Sequence, residues 1–188
     1  DNQLDGEVGL PKYIDVAYPM VLMSDTAGGF WGAASISWLH VDATGKAVRR
    51  FNLGVDAPRG PGVALSPTEL IVPGGEGSSH DPRSIFLFDT EAMTWKELHR
   101  DERMLGAFAA TGGDVYFVAY AFDSPTFTIE RLALAPGARP VTVTPRLEGW
   151  GRVGLAVAQD GTLYVATTTE HIVLAGDGSV RSRKAIRS

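Results

Sequence analysis

Gly154-Leu155-Ala156-Val157-Ala158-Gln159-Asp160-Gly161-Thr162-Leu163-Tyr164-Val165 reads as a glycine, a short strand of small apolar residues, a polar turn and a second apolar strand. The same order occurs at Gly62-Val63-Ala64-Leu65-Ser66-Pro67-Thr68-Glu69-Leu70-Ile71-Val72, and again from Gly106-Ala107-Phe108-Ala109-Ala110 through Asp114-Val115-Tyr116-Phe117-Val118. The starts recur at the step of about 40 to 50 residues that marks stacked supersecondary units. A similar step back from Gly62 reaches Pro19-Met20-Val21-Leu22-Met23, a degenerate fourth copy. The second half of each unit repeats as well, at Trp38-Leu39-His40-Val41-Asp42, Ile85-Phe86-Leu87-Phe88-Asp89, Ile129-Glu130-Arg131-Leu132-Ala133-Leu134 and Ile172-Val173-Leu174-Ala175. Further extended segments follow, as in Ala47-Val48-Arg49-Arg50-Phe51 and Val141-Thr142-Val143-Thr144.

Four short strands per unit, joined by turns rich in Gly, Asp and Pro, describe one blade of a β-propeller. The expected fold is therefore all-β, with four blade-like repeats that form a four-bladed propeller or part of a larger one. The blades run roughly over 18–53, 62–99, 106–144 and 154–188 of a single domain, with 1–17 as an N-terminal closing segment whose candidate strand is Tyr13-Ile14-Asp15-Val16-Ala17. A two-sheet sandwich is the main rival, but its strands alternate apolar and polar because one face of each sheet meets water. Val115-Tyr116-Phe117-Val118-Ala119-Tyr120 and Ile85-Phe86-Leu87-Phe88 are continuously apolar, as small sheets packed on both faces require. One stretch conflicts locally. Between Thr90 and Leu105 no Gly or Pro intervenes, and Ala92, Trp95 and Leu98 recur at helical spacing. The repeat places an outer strand at Thr94 to His99, and a strand is expected there.

The 188 residues suffice for one hydrophobic core, and 44% hydrophobic with 21% charged residues is ordinary globular composition. A net charge of -5 gives no broad positive field, so nucleic acid is excluded as the dominant partner. No apolar run approaches the roughly 18 to 20 residues that cross a bilayer, so no transmembrane segment is expected. Having no cysteine excludes disulfides and thiolate chemistry and leaves the redox compartment open.

The second unit, with Leu70-Ile71-Val72-Pro73-Gly74-Gly75, Ile85-Phe86-Leu87-Phe88-Asp89 and Trp95, resembles a kelch repeat: a Gly pair after the second strand, an aromatic-Asp pair on the third and a Trp soon after. The other three units lack that Gly pair and the Trp. The last unit, with Asp160-Gly161 and Asp177-Gly178, looks more like blades of the NHL and lactonase-type propellers. The resemblance implies that ligands meet the loops joining each outer strand to the next inner strand. By the same analogy an extracytoplasmic location, periplasmic or secreted, is expected.

An arginine precedes the inner-strand glycine in three units: Arg59 before Gly62, Arg103 before Gly106 and Arg152 before Gly154. A radial arrangement would bring three guanidinium groups to one mouth, a geometry suited to carboxylate or phosphate. The alternative is three solvated arginines paired with Asp56, Asp101, Glu102 and Glu148. His80 with Asp81, and His99 from the next connection, could supply a base and its orienting carboxylate. Trp150, flanked by Gly149 and Gly151, is a candidate anchor for a partner or a sugar. Trp31, Trp38 and Trp95 are assigned to space between blades, and Asp160-Gly161 and Asp177-Gly178 to tight turns. No G-x-S-x-G, H-E-x-x-H or D-x-D-x-D-G motif occurs, and neither a cofactor nor a metal is assigned.

The reading that follows is a non-catalytic scaffold binding a protein partner or a small anion, in an oligomer or a larger complex. The alternatives are a lactonase-like hydrolase or lyase, and a carbohydrate-binding propeller. The sequence leans away from catalysis, because metal-holding propeller enzymes carry Asp, Glu or Asn on the inner strands. Val63-Ala64-Leu65 and Leu155-Ala156-Val157 carry none.

Overall fold

The computed structural model describes residues 21–34, 37–52, 62–74, 83–92, 94–120, 124–149 and 153–186. The candidate closing strand Tyr13 to Ala17 lies outside them. The described residues hold strands and turns and no helix.

Four antiparallel sheets follow one another along the chain, and the fold is a β-propeller of four blades. The first blade is β1 (Val21–Ser24), β2 (Phe30–Ala34), β3 (Ser37–Val41) and β4 (Ala47–Asn52), paired in that order. The second is β5 (Val63–Ala64), β6 (Glu69–Gly74), β7 (Ser84–Asp89) and β8 (Thr94–Arg100). The third is β9 (Met104–Thr111), β10 (Asp114–Tyr120) and β11 (Thr126–Ala133), completed by two short pieces, β12 (Val141–Thr142) and β13 (Leu147–Glu148), that both pair with β11. The fourth is β14 (Gly154–Val157), β15 (Leu163–Ala166), β16 (Glu170–Leu174) and β17 (Val180–Ala185). Two compact units are formed, 1–98 and 99–188.

Turn chemistry fixes the hairpins. At β3–β4 the Asp42 amide donates to the Lys46 carbonyl and Gly45 sits at φ 84°; at β16–β17 the Ala175 amide donates to the Ser179 carbonyl and Gly178 sits at φ 83°. Both are three-residue loops closed by a left-handed glycine, where a Cβ would strain the backbone. Asp42 accepts from the Thr44 amide and hydroxyl, and Asp177 does the same with Ser179, so the same device recurs in the first and last blades. The turn assignments at Asp160-Gly161 and Asp177-Gly178 agree with this geometry.

β8 is a strand despite its helical spacing. Its first four residues are exposed, and the Trp95 ring stacks on Phe88 of its own sheet at 3.7 Å. The spacing of Ala92, Trp95 and Leu98 therefore marks no buried helical stripe. Trp95 also departs from its expected place between blades, being 38% exposed. The outer strand of the third blade is broken where one extended segment, Val141 to Thr144, was expected. Pro140 precedes β12 and Pro145 lies within the break, and neither has an N–H to give to a ladder. The buried Thr144 hydroxyl instead accepts from the Ile129 amide at 2.9 Å, and the chain rejoins β11 as β13.

Within the first unit, Met23 and Trp31 of the first blade pack against Ala64, Leu70, Val72 and Phe88 of the second. Within the second, Tyr116, Val118, Phe127 and Ile129 pack against Leu163, Val165, Ile172 and Leu174. Each such buried side chain contributes about 1.5–3 kcal/mol relative to exposure, which makes blade stacking the largest stabilising term. β10 is buried at every position from Val115 to Ala119, so both faces of the third sheet are out of water. That pattern is the one a wetted sandwich sheet lacks.

Candidate functional site

The short connection after β8 turns back through Asp101 and Arg103 into β9. The Asp101 carboxylate accepts from the Arg103 amide at 2.8 Å, which closes the turn locally. The same carboxylate receives the Arg103 guanidinium twice, Nε to Oδ1 at 3.0 Å and Nη2 to Oδ2 at 2.7 Å. The free edge of the guanidinium reaches β11, where Nη1 lies 2.6 Å from Glu130 Oε1. Glu130 is 5% exposed at the side chain, against 36% for Arg103. Thr128 donates its hydroxyl to Glu130 at 3.3 Å and completes the bracket. The arginine thus clamps the connecting turn to the third blade.

These groups wall a recess of about 410 Å³, lined by His99, Asp101, Arg103, Glu130, Arg139 and Pro140. Its size falls within the usual range of small-ligand pockets, about 300–1,000 Å³. His99 Nε2 stands 3.4 Å from Asp101 Oδ2, and its ring leans on Phe117 with centroids 6.1 Å apart. Arg139, exposed at the rim, has no ion-pair partner among the described residues.

Electrostatics give these residues distinct capacities. Burial pushes the Asp101 carboxyl up, but hydrogen bonds from the Arg103 side chain and amide, the guanidinium charge and His99 outweigh it and hold Asp101 at about 2. Such a carboxylate is a weak base at neutral pH. The hydrogen bonds with Asp101 and Glu130 raise Arg103 above its ordinary value, so the guanidinium stays charged and occupied. The recess therefore sets two carboxylates against the Arg103 guanidinium in its floor, and the Arg139 cation at its rim brings the lining to formal neutrality.

Asp101 also makes acid stability testable. Its folded pKa lies below the unfolded value near 3.8, so its contribution is whole above pH 4 and fades as pH falls toward about 2. Asp101→Asn is expected to show a smaller loss of thermal stability than the wild type between pH 5 and pH 2, measured by circular dichroism. Equal slopes for the two proteins would contradict the assignment.

Of the residues singled out in the sequence, the structure brings Arg103 and His99 together in this recess. Arg59, Arg152, Trp150, His80 and Asp81 lie outside the described residues. Arg103 takes the paired role with Asp101. Glu130 was missed: it occupies an apolar–polar stretch of β11 that reads as half solvated, and its partner comes from a distant turn. A second buried polar group was missed in the first blade. Asp25, 7% exposed, accepts from the Ala27 and Gly29 amides at 2.8 and 2.6 Å and from His40 Nε2 at 2.7 Å. Burial raises its carboxyl, and these hydrogen bonds lower it further than burial raises it. His40 stacks on Trp31 with ring centroids 4.3 Å apart. Among the described residues, no three His, Asp or Glu side chains converge as a metal site would require, and no helix is long and apolar enough to cross a membrane.

No family model matches the chain, and no curated protein matches it. Solved structures do. A gluconolactonase of Xanthomonas campestris aligns with a TM-score of 0.63 at 13% identity, over 85% of this chain and 59% of that one. The WD40 domain of Neurospora crassa Pan2 aligns with a TM-score of 0.59 at 12% identity, over 91% and 51%. A chain of the mitotic checkpoint complex aligns at 0.58 and 14% identity, over 87% and 48%. The chain spans about half to three fifths of the length of these structures. At such identities the likeness establishes the fold and nothing finer: this chain has the fold of the β-propellers.

Proposed function

We propose that this chain is a non-catalytic interaction module, a subunit of a larger assembly that presents fixed loops to a protein partner. The observation that supports the reading is the Arg103 bracket. Its two carboxylates hold the turn at Asp101 to Arg103 against β11, so the recess wall is a preformed surface rather than a set of groups poised to transfer protons. Arg139 at the rim would meet an acidic group of the partner. The structural likenesses include a WD40 domain and a chain of the mitotic checkpoint complex.

The gluconolactonase likeness favours one second reading, a lactone hydrolase. Incubating the chain with δ-gluconolactone and added Ca²⁺ or Zn²⁺ separates the two. The module reading expects hydrolysis no faster than in buffer with the same cation. Cation-dependent turnover that saturates with substrate would sink it in favour of the enzyme.

A further inference from the structure

Glu130 is held by one of its two oxygens. Oε1 takes the Arg103 guanidinium at 2.6 Å and the Thr128 hydroxyl at 3.3 Å. Oε2 has no hydrogen-bond partner among the described residues, although the side chain is only 5% exposed. That oxygen is not sealed in the interior, and Glu130 lines the recess, so the recess is the space it faces. A carboxylate oxygen stripped of most of its water and given no donor is costly, and a donor entering the recess relieves that cost.

His99 adds a second acceptor. Asp101 is ionised and can only accept, so the proton between the two groups sits on His99 Nε2, 3.4 Å from Asp101 Oδ2. In the neutral ring Nδ1 is then an acceptor, and it has no partner among the described residues. Asp101 itself has nothing to spare: Oδ1 receives the Arg103 amide and Nε, and Oδ2 receives Nη2 and His99.

The acceptors that remain select the ligand. Ca²⁺ takes about six to eight oxygens, far more than one carboxylate oxygen beside an imidazole supplies. A guanidinium matches a carboxylate with both oxygens free, and Oε1 is taken. A primary ammonium is a compact charge that a single oxygen, an imidazole nitrogen and water can satisfy. The placement of charge agrees. In the floor Asp101 and Glu130 exceed Arg103 by one negative charge, and Arg139, exposed at the rim, supplies the positive one. Such a recess is complementary to a molecule with an amine at one end and a carboxylate at the other.

We propose that the recess binds a zwitterion of amino-acid type, its ammonium against Glu130 and His99 and its carboxylate against Arg139. Two sources share that chemistry, a free amino acid and a lysine beside an acidic residue in the partner's chain. This deepens the interaction reading and rests on its preformed recess, all of whose walls lie in the unit 99–188.

The test is isothermal titration calorimetry of the full chain with γ-aminobutyrate and ε-aminocaproate, with butylamine and butyrate as single-charge controls. The zwitterions are expected to bind at least about tenfold more tightly than either control, since both of their ends make charge-assisted hydrogen bonds. Arg139→Gln, at an exposed position, should remove that advantage and leave butylamine unchanged. Glu130→Gln should weaken zwitterion and butylamine alike; if it loosens the Arg103 bracket, the Arg139→Gln comparison still decides. A blocked peptide carrying lysine next to aspartate that binds more tightly than the zwitterions identifies the partner's chain as the source, and the reverse order identifies a free amino acid. No heat from zwitterions or peptide, butyrate binding as tightly as γ-aminobutyrate, or affinities that Arg139→Gln leaves intact overturn the proposal. Failure here leaves the scaffold reading standing, whereas lactone turnover removes that reading whatever the amines do.

Discussion

Replacing Phe117 with alanine is expected to destabilise the chain by about 3–5 kcal/mol, enough to unfold a marginal domain near physiological temperature. Phe117 is 0% exposed on β10, beside Phe108 with ring centroids 6.1 Å apart and His99 at a similar distance. Truncation removes the transfer energy of the ring and leaves a cavity that flanking strands, held by two ladders, can close only in part. Phe117→Leu should retain most of the stability because it restores much of the volume. Urea denaturation measures both. A Phe117→Ala loss below about 1 kcal/mol would show that the face bearing this ring is wet.

The second large effect concerns the Arg103 bracket. Arg103→Met is expected to cost about 3 kcal/mol, because it leaves the Glu130 carboxylate buried without its cation. The figure sits at the low end for a broken buried pair since the guanidinium is itself 36% exposed. Arg103→Met with Glu130→Leu should recover much of the loss, because an apolar pair needs no charge compensation. Thermal melts of the two single variants and the double variant decide it. A double variant no better than Arg103→Met would mean that the bracket is not the source of the cost.

The fold was legible because its determinants are local and repeated. Gly62, Gly106 and Gly154 mark equivalent inner strands, the continuous apolar run Val115 to Tyr120 reports burial on both faces, and Asp-Gly pairs announce hairpins whose glycines need positive φ. Even at Thr94 to Arg100, where spacing alone favoured a helix, the repeat identified the strand, because tertiary placement overrides local propensity. The break between β12 and β13 was less legible. It depends on a Thr144 hydroxyl replacing a ladder acceptor, and a hydroxyl's partner cannot be read from its neighbours.

The site was legible only in part. Arg103 and His99 stood out as loop residues beside an inner strand, but their geometry comes from Glu130, whose burial depends on how β11 sits beneath a turn far away in sequence. Asp25 and His40 show the same limit. Each looks ordinary alone, and only the pairing of β1, β2 and β3 brings the carboxylate to the ring. Periodicity reports which face of a strand is buried; it says nothing of which polar groups meet across the fold.

Solvent paramagnetic relaxation of the Val115 and Val118 methyl groups tests the central claim most directly, since these side chains leave β10 on opposite faces of one sheet. A soluble gadolinium chelate should leave both sets of methyl resonances unbroadened, because sheets stacked as blades exclude water from either side. Strong broadening at one valine with protection at the other would reveal a half-wetted sheet and contradict the propeller packing on which the account rests.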